Sequence, residues 1–188
     1  FTKVRIWGEE LPFYKAHHAI GLTVEATKSW AILAPSDYVF MRLAWDTSLD
    51  WRELLAEFCR NAYGKGAPAM LRYHHRVIDT QHGAGQEAGS YHAFHLIYDM
   101  DWVKTARADI AEALAAADAE GDRTRIQYVA HNVEALALYL DYHRATREFD
   151  FAAAKKGYDA MMAHWQAGYD LNTDIVANET PQYLRRFL

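Results

Sequence analysis

The sequence predicts a mainly α chain: one βα unit within residues 1–46, followed by an antiparallel helical bundle over residues 47–188. Three observations predict it. Apolar residues recur at helical spacing almost throughout from Asp50 to Leu188. One β-branched apolar run, Ile20 to Val24, breaks that period and precedes a helix. The later helices are joined by short connections at Gly121 and at Glu148 to Asp150, which force neighbours to run antiparallel.

The elements follow in chain order. Glu9 to Ala19 suits a short amphipathic helix, with Pro12 tolerated in its first turn because that N–H would lack a partner anyway. Ile20-Gly-Leu-Thr-Val24 reads as a fully buried parallel strand ending at Glu25. A single strand cannot satisfy its own backbone groups, so its partner strands are expected outside this sequence. Phe1 stands where a start Met would, inside what reads as an ordered element, which marks the chain as an expected fragment. Ser36-Asp37 then caps a helix carrying Tyr38, Val39, Met41, Leu43 and Trp45.

In the second part, Asp50 to Tyr63 repeats Leu54, Leu55, Phe58 and Ala62 and stops at Gly64, a glycine placed to take φ > 0. Ala67 to about Thr80 forms the next helix, begun by Pro68. Gln81 to His92, with Gly83, Gly85 and Gly89, is a loop of unusual length for a bundle, and such loops often serve a function. After a short piece from Ala93 to Tyr98, Asp99 or Asp101 opens a helix with the stripe Val103, Ala106, Ile110, Ala113, Leu114 and Ala117, ended by Gly121. Asp122 caps a long helix with Ile126, Val129, Val133, Leu136 and Leu140, Leu136 standing at the expected core centre. Asp150 caps the last long helix through Phe151, Ala154, Tyr158, Met161, Met162 and Trp165, and Pro181 to Leu188 adds a short terminal one.

Composition excludes several classes. The 188 residues carry 20 Lys+Arg against 25 Asp+Glu, interleaved, so no basic patch suits nucleic acid. No apolar run approaches the roughly 18 residues of a membrane span. Cys59 is the only cysteine, which removes intrachain disulfides and thiolate zinc sites. Neither a G-x-S-x-G nor a phosphate-cradling loop is present, and Cys59 reads as a small hydrophobe within its helix.

The ten histidines do not read as a metal site. His17-His18 and His74-His75 are adjacent, and helical neighbours point about 100° apart. His131 and Glu134 form one HxxE, but a di-metal bundle needs a second copy. His131, His143 and His164 are expected as half-buried histidines bonded to a neighbouring side chain or carbonyl. Neither a catalytic residue, a metal nor a cofactor is assigned.

Candidate binding residues come from position. Glu25 follows the strand, at the end where active groups of parallel α/β folds collect. It equally suits a turn cap or a partner for Lys28. Lys28, Trp30 and Tyr38 add charge and flat aromatic faces of the kind sugars pack against, while Trp45, Trp51, Trp102 and Trp165 are expected in the core. Gln86 and His92 on the long loop complete the set.

The runs Leu11 to Glu25, Tyr38 to Asp46 and Asp50 to Gly64 resemble the C-terminal half of large bacterial glycoside hydrolase-like proteins, relatives of alpha-glucuronidases and hexosaminidases. In that family a (β/α)8 barrel precedes a helical domain of unknown function. The shared pattern is a strand ending in Glu, a helix reading Tyr-x-x-x-Arg/Lys-Leu-x-Trp-Asp, and a helix ending in Phe-x-x-x-x-Tyr-Gly. The resemblance implies that residues 1–46 are the last βα unit of a TIM barrel and 47–188 the appended bundle. It further implies that the parent acts on a polysaccharide or oligosaccharide, and that its catalytic carboxylates lie upstream. Glu25, Lys28, Trp30, Gln86 and His92 would then contact carbohydrate, and the expected partners are that ligand and the rest of the polypeptide, neither nucleic acid nor membrane. The alternative is a noncatalytic helical scaffold or interaction module.

Overall fold

In the computed structural model, residues 2–24, 28–85 and 94–173 are described, and every regular element among them is helical. These are α1 (Val4–Ala16), α2 (Trp30–Trp45), α3 (Trp51–Tyr63), α4 (Ala67–Gly83), α5 (Phe94–Ile97), α6 (Met100–Ala116), α7 (Glu120–Arg147) and α8 (Phe151–Leu171). A 3₁₀ turn, Gly64–Gly66, joins α3 to α4.

Three starts follow from one residue type. The carboxylates of Asp50, Asp99 and Asp150 accept the backbone N–H groups of Arg52, Trp102 and Ala153 at 2.7, 2.7 and 3.0 Å, satisfying donors that helix starts leave open. Gly64 takes φ 51°, as expected, and it is also pressed by a neighbour: a Cβ there would lie 2.0 Å from Asp122 Oδ2.

Five expectations are corrected. Ile20 to Val24 forms no strand; it runs exposed and irregular, because a ladder needs a neighbour's N–H and C=O groups and the described residues hold no strand to supply them. α1 begins at Val4 rather than Glu9, so Pro12 sits in its interior. α2 begins at Trp30 and carries Pro35 and Ser36 inside it. The Ser36 hydroxyl does not cap its own helix: it accepts the Lys3 N–H at 2.9 Å, at the start of α1. α6 ends at Ala116, leaving Gly121 and Asp122 in the first turn of α7, where Asp122 binds Arg125 at 2.6 Å. α4 takes in the first residues of the expected loop. The expected terminal helix, Pro181 to Leu188, lies outside the described residues.

One hydrophobic core runs across these helices and is continuous through position 46, joining Val4, Leu11, Val39 and Leu43 to Leu55, Met70, Val103, Ile126, Val133 and Met161. Cys59 is buried in it, its thiol pushed up to about 12 by burial, in keeping with a packing role. Phe151 is exposed, so α8 holds α7 through Ala154, Met161 and Met162 instead. Trp51, Trp102 and Trp165 pack partly buried against the core. Trp45 does not: it is 94% exposed.

Leu136 is only partly buried and the centre of α7 falls on Ile126, Val129 and Val133. Leu136→Ala is therefore expected to cost about 1–2 kcal/mol, below the range for fully buried leucines. Urea unfolding checks it; a loss near 4 kcal/mol would place Leu136 in the centre after all.

Candidate functional site

α2 carries two apolar stripes. Pro35, Ser36, Val39 and Leu43 face inward and are buried. Trp30, Met41 and Trp45 recur at the spacing of another stripe and are 43%, 59% and 94% exposed. The segment before α2 adds Ile20, Leu22 and Val24, all exposed, and α1 adds Phe13, whose ring lies 4.0 Å from that of His17. On α2 itself, burial raises the Asp37 carboxyl, an effect that Lys3 partly offsets.

Of the expected binding residues, Lys28 and Trp30 stand on this side of the molecule's sequence order, at the entrance to α2: Lys28 exposed in the bend before it, Trp30 its first residue. Glu25, Gln86 and His92 lie outside the described residues. Tyr38 is engaged elsewhere. Its hydroxyl donates to Glu57 Oε1 at 2.5 Å, Arg42 Nη1 reaches both groups at 2.6 Å, and its ring packs on Phe58 at 5.7 Å. That network pins α2 to α3, and the two donors hold the Glu57 carboxyl below its ordinary range. Tyr38 is thus a structural tie rather than an open sugar platform.

A second polar feature was not legible in sequence. An open cleft of about 470 Å³ lies among α5, the start of α6 and the end of α7. His95 and His143 stack on its wall, 3.6 Å between ring centroids and 17° between planes, and His95 Nδ1 lies 3.2 Å from the Tyr139 hydroxyl. Burial, then His95, then Arg147 hold the His143 imidazole below its usual value. Arg144 pairs with Asp141 at 2.8 Å, and Asp99 and Glu148 complete the rim. Such a wall offers donors and acceptors to a polar ligand. No local signal pairs His95 with His143, since they meet only through the docking of α5 on α7.

The HxxE of α7 is also resolved. Both Glu134 oxygens are held by Arg107, at 2.7 and 2.5 Å, and His131 stacks on His164. His164 Nε2 donates to the His131 carbonyl oxygen at 2.9 Å, the half-buried bonded state expected of it. Among the described residues no group of three or more His, Cys, Asp or Glu side chains is arranged to hold a metal ion, and no helix is long and apolar enough to cross a membrane.

Residues 1–75 match the family model of a domain of unknown function, DUF4838, a stretch that takes in α1, α2, α3 and the first half of α4. No curated protein and no solved structure matches the chain.

Proposed function

We propose that this chain is the C-terminal part of a bacterial glycoside hydrolase-like protein, a helical module that seats against a catalytic (β/α)8 barrel and holds no complete catalytic site of its own. The observation that carries this reading is the outward stripe of α2, where Trp45 is 94% exposed although the same helix has a well-buried opposite face. Apolar surface of that kind marks a place where another body packs. Ile20 to Val24 suits the same role, since it adds three more exposed apolar side chains, Ile20, Leu22 and Val24, just before that helix. Glu25, Lys28, Trp30, Gln86 and His92 then serve to orient carbohydrate rather than to attack it.

Glycosidic hydrolysis needs two carboxyl groups at a defined separation across one bond, about 5 Å or about 6.5–9.5 Å, and in this reading the chain brings at most one of them, Glu25. The purified chain is therefore expected to turn over no aryl glycoside, while associating with the separately expressed barrel segment. Trp45→Ser should weaken that association at least about tenfold, with the melting temperature of the chain alone moving by no more than about 2 °C. Turnover by the chain alone, or unchanged association of the variant, overturns the proposal. Self-association of the chain that Trp45→Ser abolishes would assign the face to a second copy and make the protein a noncatalytic assembly module.

A further inference from the structure

α8 is held by one neighbour. It lies along α7, and no other described element packs on it to a comparable extent. Over its middle the hold is apolar: Met161 and Met162 are buried, Tyr158 meets Tyr142 at 6.1 Å between ring centroids, and Gly157 lets the backbones close until a Cβ there would sit 3.3 Å from Tyr142 Cα. Beyond Met162 the contact changes character. His164 lies face to face with His131, 3.8 Å between centroids and 11° between planes, and the bond from Nε2 to the His131 carbonyl ties the same two residues.

We infer that the His131–His164 stack is an acid-sensitive latch, which keeps the C-terminal half of α8 on α7 while the rings are neutral and releases it when both carry protons. Neutral imidazoles pack face to face as flat aromatic surfaces do, whereas two imidazolium rings at this separation repel, the more so in a site half removed from water. Among the described residues no acid around the pair is left over to balance charge on both rings. From α7, Glu134 is the acid coupled to His164; from α6, Arg107 binds both of its oxygens and already balances its charge. α8 brings Met161 and Trp165 on the adjoining turn, neither of them charged. Burial and then the neighbouring His164 push His131 down to about 4, so its ring takes up a proton only in acid. Release exposes the apolar side chains that α8 and α7 now share.

Amide hydrogen exchange on the full chain tests the latch, with rates corrected for their intrinsic pH dependence. Between about pH 7 and about pH 4, amides of Met161–Leu171 should lose at least about tenfold more protection than amides of α3 and α4. His164→Gln, whose amide can still donate to the His131 carbonyl but takes no proton, should abolish that excess loss, and His131→Gln should do the same; either variant that keeps α8 docked at neutral pH decides the question. Equal loss over all helices would mean that acid unfolds the whole fold, and an excess loss that persists in the variants would place the sensitivity elsewhere. Either result, or full protection of α8 at about pH 4, overturns the latch.

Discussion

Acidification from about pH 7 to about pH 3 is expected to remove about 4–5 kcal/mol of stability through one side chain, His74. This histidine of α4 is buried, and its Nε2 lies 3.2 Å from the Tyr63 hydroxyl, within hydrogen-bond distance. Tyr63 is itself buried and its phenol is pushed well above its usual value, so it keeps its proton throughout. Burial, then the charge of His75, hold the His74 imidazole down to about 3. In the unfolded chain the same ring binds a proton near 6.5. Below that pH the unfolded state therefore holds one proton more than the folded state, and stability falls as pH falls. Each pH unit in this window is worth about 1.4 kcal/mol, and the loss is complete once the folded ring is also protonated, near pH 3. Urea unfolding at several pH values measures the slope. His74→Gln, which offers Tyr63 an acceptor but no titrating group, should flatten it by about one proton between about pH 6 and about pH 4. His131 and His143 are also held below their usual values and contribute to the total, so the difference between wild type and variant isolates His74. Identical slopes would show that the folded ring titrates normally.

What was legible in sequence divides along the range of the interactions. Asp50, Asp99 and Asp150 cap helices through N–H groups two or three residues on, and a pattern read over that distance finds them. Ser36 carries the same signature, but its partners are Lys3 and Thr2 just before α1, so the local rule misplaced the start of α2. Periodicity puts both Leu43 and Trp45 on an apolar helix and reads Trp45 as core, which its 94% exposure overturns. Leu43 and Trp45 are alike apolar, and only packing decides that the first is sealed and the second open to solvent. Ile20 to Val24 has strand composition, yet a strand exists only with a ladder partner. At the candidate site, Lys28 and Trp30 are picked out by their nearness to Glu25 after the expected strand, whereas the structure puts them at the entrance to α2, which begins at Trp30. The stacks of His95 on His143 and His131 on His164 were not legible, because no local pattern reports which helices lie side by side.

The same limit hid a buried ionic feature between α4 and α6, and it carries a definite asymmetry. Asp109 of α6 is buried, its side chain 9% exposed, and it is bound from α4 by two arginines one turn apart. Arg76 reaches Oδ2 at 2.9 and 3.3 Å and Arg72 reaches Oδ1 at 3.3 Å, while Arg72 also holds Glu112 at 2.5 Å. The arginine side chains are 32% and 47% exposed, so they rehydrate when the aspartate is removed; the carboxylate has no such recourse. Replacing both arginines by Ala leaves a buried charge without donors and is expected to cost about 3–5 kcal/mol, a large share of a stability of about 5–15 kcal/mol. Asp109→Leu alone should cost no more than about 1–2 kcal/mol, since it buries no charge and Arg72 keeps Glu112. Adding Asp109→Leu to the double arginine variant should then restore most of the loss, because the uncompensated carboxylate is its source. Urea unfolding of the three variants closes this cycle. If Asp109→Leu proves as costly as the loss of both arginines, or fails to rescue it, the arginines stabilise the α4–α6 contact through the packing of their own stems rather than by sheltering the buried charge.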